Sequence, residues 1–147
     1  MGIISRFPAG ATKPYIEETY NSDGQLISAN MYGHDAIRDY EFFYCINLAL
    51  ISLPSGITSV GISAFEGCSS LALTSLPSGI TSIGNGAFRN CSSLVSLTFE
   101  GTPERISDSA FAGCNNLTTI NVPWAEGAVA NAPWGAENAT IHYGYTG

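Results

Sequence analysis

Four cysteines are the most chemically versatile residues in this chain, and their spacing is regular. They are Cys45, Cys68, Cys91 and Cys114, each 23 residues after the one before. An even number of cysteines suggests disulfides. One cysteine per turn of a winding backbone, however, forms a ladder of parallel side chains whose sulfurs do not reach the disulfide dihedral. We therefore predict free, buried thiols, which leave the redox compartment open.

No catalytic or metal-binding set can be assembled from the other reactive residues. A ladder does not converge on one point, so the cysteines predict no zinc site. His34 and His142 lie at opposite ends of the chain, and neither has a partner for nucleophilic catalysis. Glu100, Glu104 and Asp108 form an acidic loop too sparse for calcium. We predict a non-enzymatic protein with no catalytic residue, no metal and no cofactor.

Composition narrows the class of partner. With 147 residues, of which 45% are hydrophobic and 12% charged, the chain has room for one domain with a real core. The net charge of −7 argues against a nucleic-acid partner, because little in the chain would displace counterions from phosphates. The longest apolar run, at 42–53, is too short and too polar for membrane insertion. The N-terminal residues show no secretory signal, so the localisation stays unknown.

The 23-residue period extends to other columns, which hold their phase through four units. A phenylalanine precedes each cysteine by three residues, a leucine follows by three, and a β-branched residue precedes each phenylalanine by five. These columns are Phe42, Phe65, Phe88 and Phe111; Leu48, Leu71, Leu94 and Leu117; and Ile37, Val60, Ile83 and Ile106. We therefore predict four 23-residue repeats over 35–123.

Each repeat has the pattern of one coil in a stack. In the third unit, Leu97 and Phe99 alternate with Ser96 and Thr98, as in a half-buried strand. The segment 57–60 and its copy at 80–83 predict a second short extended piece, and the stretch before each cysteine has room for one helical turn. Coils of this kind bury their apolar edges by stacking, with parallel strands about 4.8 Å apart.

The two ends lack the repeat. In residues 1–34, extended segments at 15–20 and 25–32 flank an Asn-Ser-Asp-Gly turn, which predicts a hairpin that serves as an N-terminal cap or as a docking element. Residues 124–147 hold Trp124 and Trp134, and we predict a C-terminal cap with both indoles over the last coil. A carbohydrate platform of Trp124, Trp134 and Tyr143 is the alternative.

The repeat resembles the BspA-like, or Treponema-type, leucine-rich repeat over 35–123. The spacing Ile-x4-Phe-x2-Cys-x2-Leu and the copies AFEGCSSL, AFRNCSSL and AFAGCNNL carry the resemblance. It implies a leucine-rich repeat right-handed solenoid of the α/β class, rich in β-structure. Such a solenoid has a parallel β-sheet on one face, short helical turns elsewhere and a cap at each end. It also implies a bacterial surface adhesin or binding protein.

The tail from Val122 to Gly144 is similar to the C-terminal ends of repeat proteins encoded in prophages of gut Firmicutes. This second resemblance implies a cell-surface or phage-particle context. An alternative function is therefore a structural or assembly component of a phage tail, docked through 1–34, with no ligand of its own.

The outward strand positions are the predicted binding surface. The candidates are Leu50, Ser52, Leu73, Ser75, Ser96, Thr98, Thr119 and Asn121. This face is small and neutral, and Leu50 and Leu73, adjacent in the stack, would form an exposed apolar patch. We predict that it binds a protein or a cell-surface glycan. Self-association through the strand face or the solenoid ends is a further possibility.

Overall fold

The structure, a computed structural model, describes residues 2–5 and 15–147. Met1 and residues 6–14 of the predicted N-terminal segment lie outside the described residues. The strands are β1 (Gly2–Ser5), β2 (Tyr15–Tyr20), β3 (Leu26–Tyr32), β4 (Ala36–Ile37), β5 (Leu50–Ser52), β6 (Ser59–Val60), β7 (Ser75–Leu76), β8 (Ser82–Ile83), β9 (Ser96–Phe99), β10 (Arg105–Ile106), β11 (Thr119–Asn121) and β12 (Thr140–His142). This part of the chain contains no helix, and therefore none that could cross a bilayer.

The backbone winds between two parallel sheets. One has the strand order β10-β8-β6-β4 and the other the order β12-β11-β9-β7. Val60 pairs with Ile83, and Leu97 pairs with Ile120, so each register step is one 23-residue repeat. The second extended segment predicted from 57–60 and 80–83 is confirmed, because β6 and β8 pair with each other.

Tight turns replace the predicted helical turns in each coil. In the second unit, Glu66 N donates to Ser63 O at 3.2 Å and Cys68 N to Phe65 O at 3.1 Å. These bonds span three residues, as in a 3₁₀ turn, and they are too few to make a helix. Where one helical turn per coil was predicted, each coil therefore has a short run of hydrogen-bonded turns and no helix.

The phenylalanines form a single interior file. The rings of Phe42, Phe65, Phe88 and Phe111 stack in order, with centroids 5.3, 5.2 and 5.3 Å apart and planes within 12° of parallel. All four rings are buried. The backbone N–H of each phenylalanine donates to a carbonyl of the next coil, as Phe65 N does to Ala87 O at 2.7 Å. The predicted stack is therefore confirmed at its centre.

The cysteines form the predicted ladder of free thiols, with one exception in burial. Cys68, Cys91 and Cys114 are buried, and Cys45 is half-buried. The expectation that all four thiols are fully buried is therefore wrong for Cys45, which lies in the first coil with no earlier coil to cover it. Burial raises the pKa of the Cys68 thiol from 9.0 to about 12.

The predicted hairpin is present at the N-terminal end. β2 pairs with β3 in antiparallel register, β1 adds to β2, and β3 pairs in parallel with β5 of the first coil. The turn is fixed by the Asn21 side chain, whose Oδ1 accepts hydrogen bonds from Asp23 N and Gln25 N at 2.9 Å each. The role of 1–34 as a cap or a docking element stays a prediction.

Both tryptophans lie in the core at the C-terminal end. Trp134 is 0% exposed and Trp124 is 5% exposed. Phe99 contacts the Trp124 ring at a centroid distance of 5.3 Å, and the two indoles are 6.0 Å apart. A carbohydrate platform on these rings is therefore wrong, because their faces are covered. The boundaries 1–34, 35–123 and 124–147 stay predictions.

Candidate functional site

Outward side chains of the β7–β12 sheet form two columns in register. Ser96, Thr119 and Thr140 make one column, and Ser75, Thr98, Asn121 and His142 make the other. We call these seven residues the strand face. The inward residues between them, Leu97 and Ile120, are fully buried, so the alternation predicted for these strands is confirmed. The core thus fixes the outward columns from beneath.

The strand face offers hydroxyl, amide and imidazole groups and no carboxylate, ammonium or guanidinium. Asn121 Nδ2 donates to Thr98 Oγ1 at 3.1 Å, a bond that runs along the stack from one coil to the next. Hydroxyl groups both donate and accept, so the two columns present a neutral surface of mixed hydrogen-bonding character. This chemistry suits recognition of a neutral surface.

The sheet is interrupted between the first and second coils. β5 pairs with β3 and β7 pairs with β9, and β5 and β7 do not pair with each other in the described structure. The column that holds Ile51, Leu97 and Ile120 in the other coils holds Thr74 here. Thr74 is exposed, and Leu73 packs partly buried against the core instead. Burying a hydroxyl without a hydrogen-bond partner costs free energy. The Thr74 side chain therefore faces outward, and the neighbouring Leu73 packs against the core in its place.

This interruption corrects the predicted apolar patch. Leu50 is 64% exposed, as expected, but Leu73 is half-buried against the core, so the exposed apolar surface is smaller than predicted. A cavity of about 340 Å³ opens at the interruption, with Leu50, Leu73, Ser75 and Glu100 among its lining residues. Five predicted residues (Ser75, Ser96, Thr98, Thr119 and Asn121) therefore lie together on the strand face. Leu50 and Ser52 lie across the interruption.

Sequence reasoning missed two surfaces. The first is the extension of the strand face by Thr140 and His142, which alternate with Ile141 in the sequence as strand residues do. The second is an exposed aromatic cluster of Tyr40, Phe43 and Tyr44 in the first coil. The Tyr40 and Phe43 ring centroids are 5.2 Å apart, and those of Phe43 and Tyr44 are 4.6 Å apart.

The aromatic cluster is visible in the sequence when the four repeats are aligned with one another. Tyr40 and Tyr44 occupy positions that other coils fill with serine, glycine or asparagine. Both tyrosines have left-handed backbones, with φ of 60° and 53°. This conformation costs a non-glycine residue roughly 1–2 kcal/mol. A bulky residue in a column of glycine, serine and asparagine therefore marks the aromatic cluster in the sequence.

No metal centre is assembled in the described part of the chain: no three or more His, Cys, Asp or Glu side chains come together there. His34, one of the two candidate histidines, is half-buried, and its Nε2 has no hydrogen-bond partner among the described residues. His142 lies exposed on β12, so the two histidines lie in different elements.

Comparison with known families agrees with this architecture. The model of the BspA type leucine-rich repeat region matches residues 33–127, in six copies, which is more than half of the chain. The chain belongs to the BspA-type leucine-rich repeat family. This family is typically non-enzymatic, and leucine-rich repeat proteins generally mediate protein interactions.

Three solved structures are similar to this BspA-type chain. A leucine-rich repeat protein from Bacteroides ovatus is 28% identical, with a TM-score of 0.72 over 84% of this chain and 31% of that one. A leucine-rich cell surface protein from Faecalibacterium prausnitzii is 22% identical, with a TM-score of 0.61 over 77% of this chain and 39% of that one. The T. pallidum leucine-rich repeat protein is 20% identical, with a TM-score of 0.51 over 95% of this chain and 82% of that one.

These similarities confirm the predicted leucine-rich repeat solenoid. The chain spans 31% of the B. ovatus protein and 39% of the F. prausnitzii protein. No curated protein matches the chain.

Proposed function

We propose that this BspA-type chain is a non-enzymatic, adhesin-like binding module that recognises a protein or a cell-surface glycan through the strand face. The observation that carries the proposal is the register of the two outward columns over β9, β11 and β12, which sets neutral hydrogen-bonding groups at regular spacing. The cell-surface description of the F. prausnitzii protein is consistent with such a role.

Rigidity supports binding through the strand face. The strands are paired on both sides at β9 and β11, and Leu97 and Ile120 beneath them are 0% exposed. Binding therefore orders few side chains that were not already ordered, so little of the interaction energy is lost to entropy.

Charge restricts the partner. The strand face has no carboxylate, ammonium or guanidinium side chain, and the chain carries a net charge of −7. Long-range repulsion then disfavours polyanions such as nucleic acids, while a neutral surface approaches without an electrostatic penalty. A neutral region of a protein or an uncharged glycan fits these conditions.

A charge at the centre of the strand face tests the proposal. Thr119 lies between Ser96 and Thr140 in its column, so Thr119→Lys places an ammonium group in the middle of the surface. We expect affinity for the bound probe to fall roughly tenfold or more. The probes are immobilised extracellular proteins and purified cell-wall glycans, measured by surface plasmon resonance.

Thr102→Lys is the matched control, because Thr102 is exposed in the loop between β9 and β10, outside the strand face. It introduces the same charge and should bind like the unaltered chain. Failure of every probe to bind, or equal loss in both variants, would overturn the assignment of the strand face.

A further inference from the structure

Two tyrosines of the first coil adopt a backbone conformation that the repeat otherwise gives to small residues. Tyr44, at a φ of 53°, corresponds to Gly67 at 77° and Gly113 at 76°. Its N–H donates to Glu66 O at 2.7 Å, and Tyr40 N donates to Ile62 O at 2.9 Å, so inter-coil bonds impose these conformations. Tyr44 is 51% exposed and Tyr40 is 56% exposed, so core packing does not compensate for the strain. Strain of this kind is typical of functional positions.

The Tyr44 ring is held in place from one side. A Cβ atom on Gly67 would lie 2.5 Å from Tyr44 Cδ1 and 2.7 Å from Cε1, so the ring rests directly on the Gly67 backbone. Phe43 contacts the same ring edge to face, at an interplanar angle of 81°. Tyr44 is therefore a rigid, exposed aromatic group that is ordered before any ligand arrives.

A small cavity adjoins this ring. Its volume is about 250 Å³, and its lining residues are Gln25, Leu26, Tyr44, Cys45, Ile46 and Asn47. None of these six is an aspartate, glutamate, lysine, arginine or histidine. Sites for drug-sized ligands usually enclose about 300–1,000 Å³, so this one has room for a single ring-sized group. Gln25 Oε1 accepts a hydrogen bond from Asn21 Nδ2 at 2.9 Å, which orients the Gln25 amide.

We propose that the aromatic cluster and this cavity bind one neutral sugar residue of a glycan. A pyranose ring presents C–H groups on its face and hydroxyl groups at its edge. The C–H groups, which carry partial positive charge, complement the negative face of an aromatic ring. The Gln25 and Asn47 amides supply both donors and acceptors for the hydroxyls.

Charge favours a neutral sugar over an anionic or a cationic ligand at this site. Asp39 and Glu41 flank Tyr40 in the sequence, with Arg38 beside Asp39, and the chain carries a net charge of −7, so an anionic sugar or a phosphate meets a net negative charge. The six lining residues include no carboxylate to pair with a cation. The sugar site lies in the first coil, outside the strand face, and goes beyond the proposed function.

Tyr44→Gly tests the sugar site without endangering the fold. Since the repeat uses glycine at this position, the variant should melt at the same temperature or higher. We expect at least one neutral oligosaccharide of glucose, galactose, mannose or N-acetylglucosamine to bind the unaltered chain in isothermal titration. Tyr44→Gly should then weaken that oligosaccharide roughly tenfold or more.

Tyr145→Ala is the matched control, because Tyr145 is also exposed, at 39%, but lies near the C-terminal end. It should bind the sugar normally, as should Thr119→Lys. Absence of binding by every neutral oligosaccharide, unchanged affinity of Tyr44→Gly, or preference for sialylated or sulfated sugars would overturn the proposal. Loss of sugar binding in Thr119→Lys alone would contradict the proposal and place the saccharide on the strand face. Loss of binding to a protein ligand only, in Tyr44→Gly, would also contradict it and assign the aromatic cluster to protein recognition.

Discussion

In three successive coils, the cysteine thiol donates a hydrogen bond to a backbone carbonyl of the preceding coil. The Sγ atoms of Cys68, Cys91 and Cys114 donate to backbone carbonyls of the preceding coil at 3.0, 3.1 and 2.9 Å. The acceptors are the carbonyls of Phe42, Phe65 and Phe88. Cysteine is small enough for the interior and still supplies a donor to a buried carbonyl, which alanine does not. This contact explains why one residue type recurs where the sequence alone indicates only a small hydrophobic group.

Alkaline pH should weaken the fold through Cys68. Its native pKa is raised to about 12, whereas the unfolded thiol titrates near 9.0. Between these values the unfolded chain has lost a proton that the native chain keeps, so the free energy of unfolding falls as pH rises. Below pH 9 the Cys68 thiol is protonated in both states, so it gives the free energy of unfolding no dependence on pH. Urea unfolding over this pH range measures the slope, and Cys68→Ala should show a smaller one. Identical slopes in the two proteins would contradict the buried protonated thiol.

The strands were predictable as elements, but the way they connect was not. Alternation of Leu97 and Phe99 with polar residues predicted β9, and the Asn21–Gly24 turn predicted the β2–β3 hairpin; both are confirmed. The interruption between β5 and β7 was not predicted, because threonine is a good strand former and Thr74 keeps the repeat spacing. Only the cost of burying its hydroxyl distinguishes this coil from the others. The exposed tyrosines were not predicted either. Their positive φ angles are a property of the backbone, which the spacing of residues does not reveal.

Filling the Thr74 position should close the sheet. Thr74→Ile restores the residue that the first coil has at Ile51, so we expect the side chain to turn inward and β5 to pair with β7. Burial of the added apolar surface should stabilise the protein by about 1–2 kcal/mol, which urea denaturation measures. Thr118→Ile is the control, because Thr118 is exposed and its replacement should leave the stability nearly unchanged. Equal or lower stability of Thr74→Ile would show that the hydroxyl does not cause the interruption.

The whole molecule is a one-dimensional stack in which each coil contacts its neighbours along the axis. At one end β3 pairs with β5, and at the other Trp134 O accepts the N–H of Phe111 at 2.8 Å, so backbone hydrogen bonds extend beyond the first and last coils. The 23-residue period predicted this stack, and the family match over 33–127 agrees with it. The binding surfaces were predictable only in part. Outward strand positions follow from alternation, whereas the aromatic cluster depends on backbone geometry that the period does not encode.

Amide hydrogen exchange tests the stacked-coil account most directly. The N–H groups of Phe42, Phe65, Phe88 and Phe111 donate between coils at 2.7–2.8 Å, and all four rings are buried in one file. If the coils are stabilised only by one another, these four amides should exchange slowly and together, at the rate set by global unfolding. Rapid exchange at any one of them, in a protein whose other three remain protected, would show that the coils do not form a single cooperative stack.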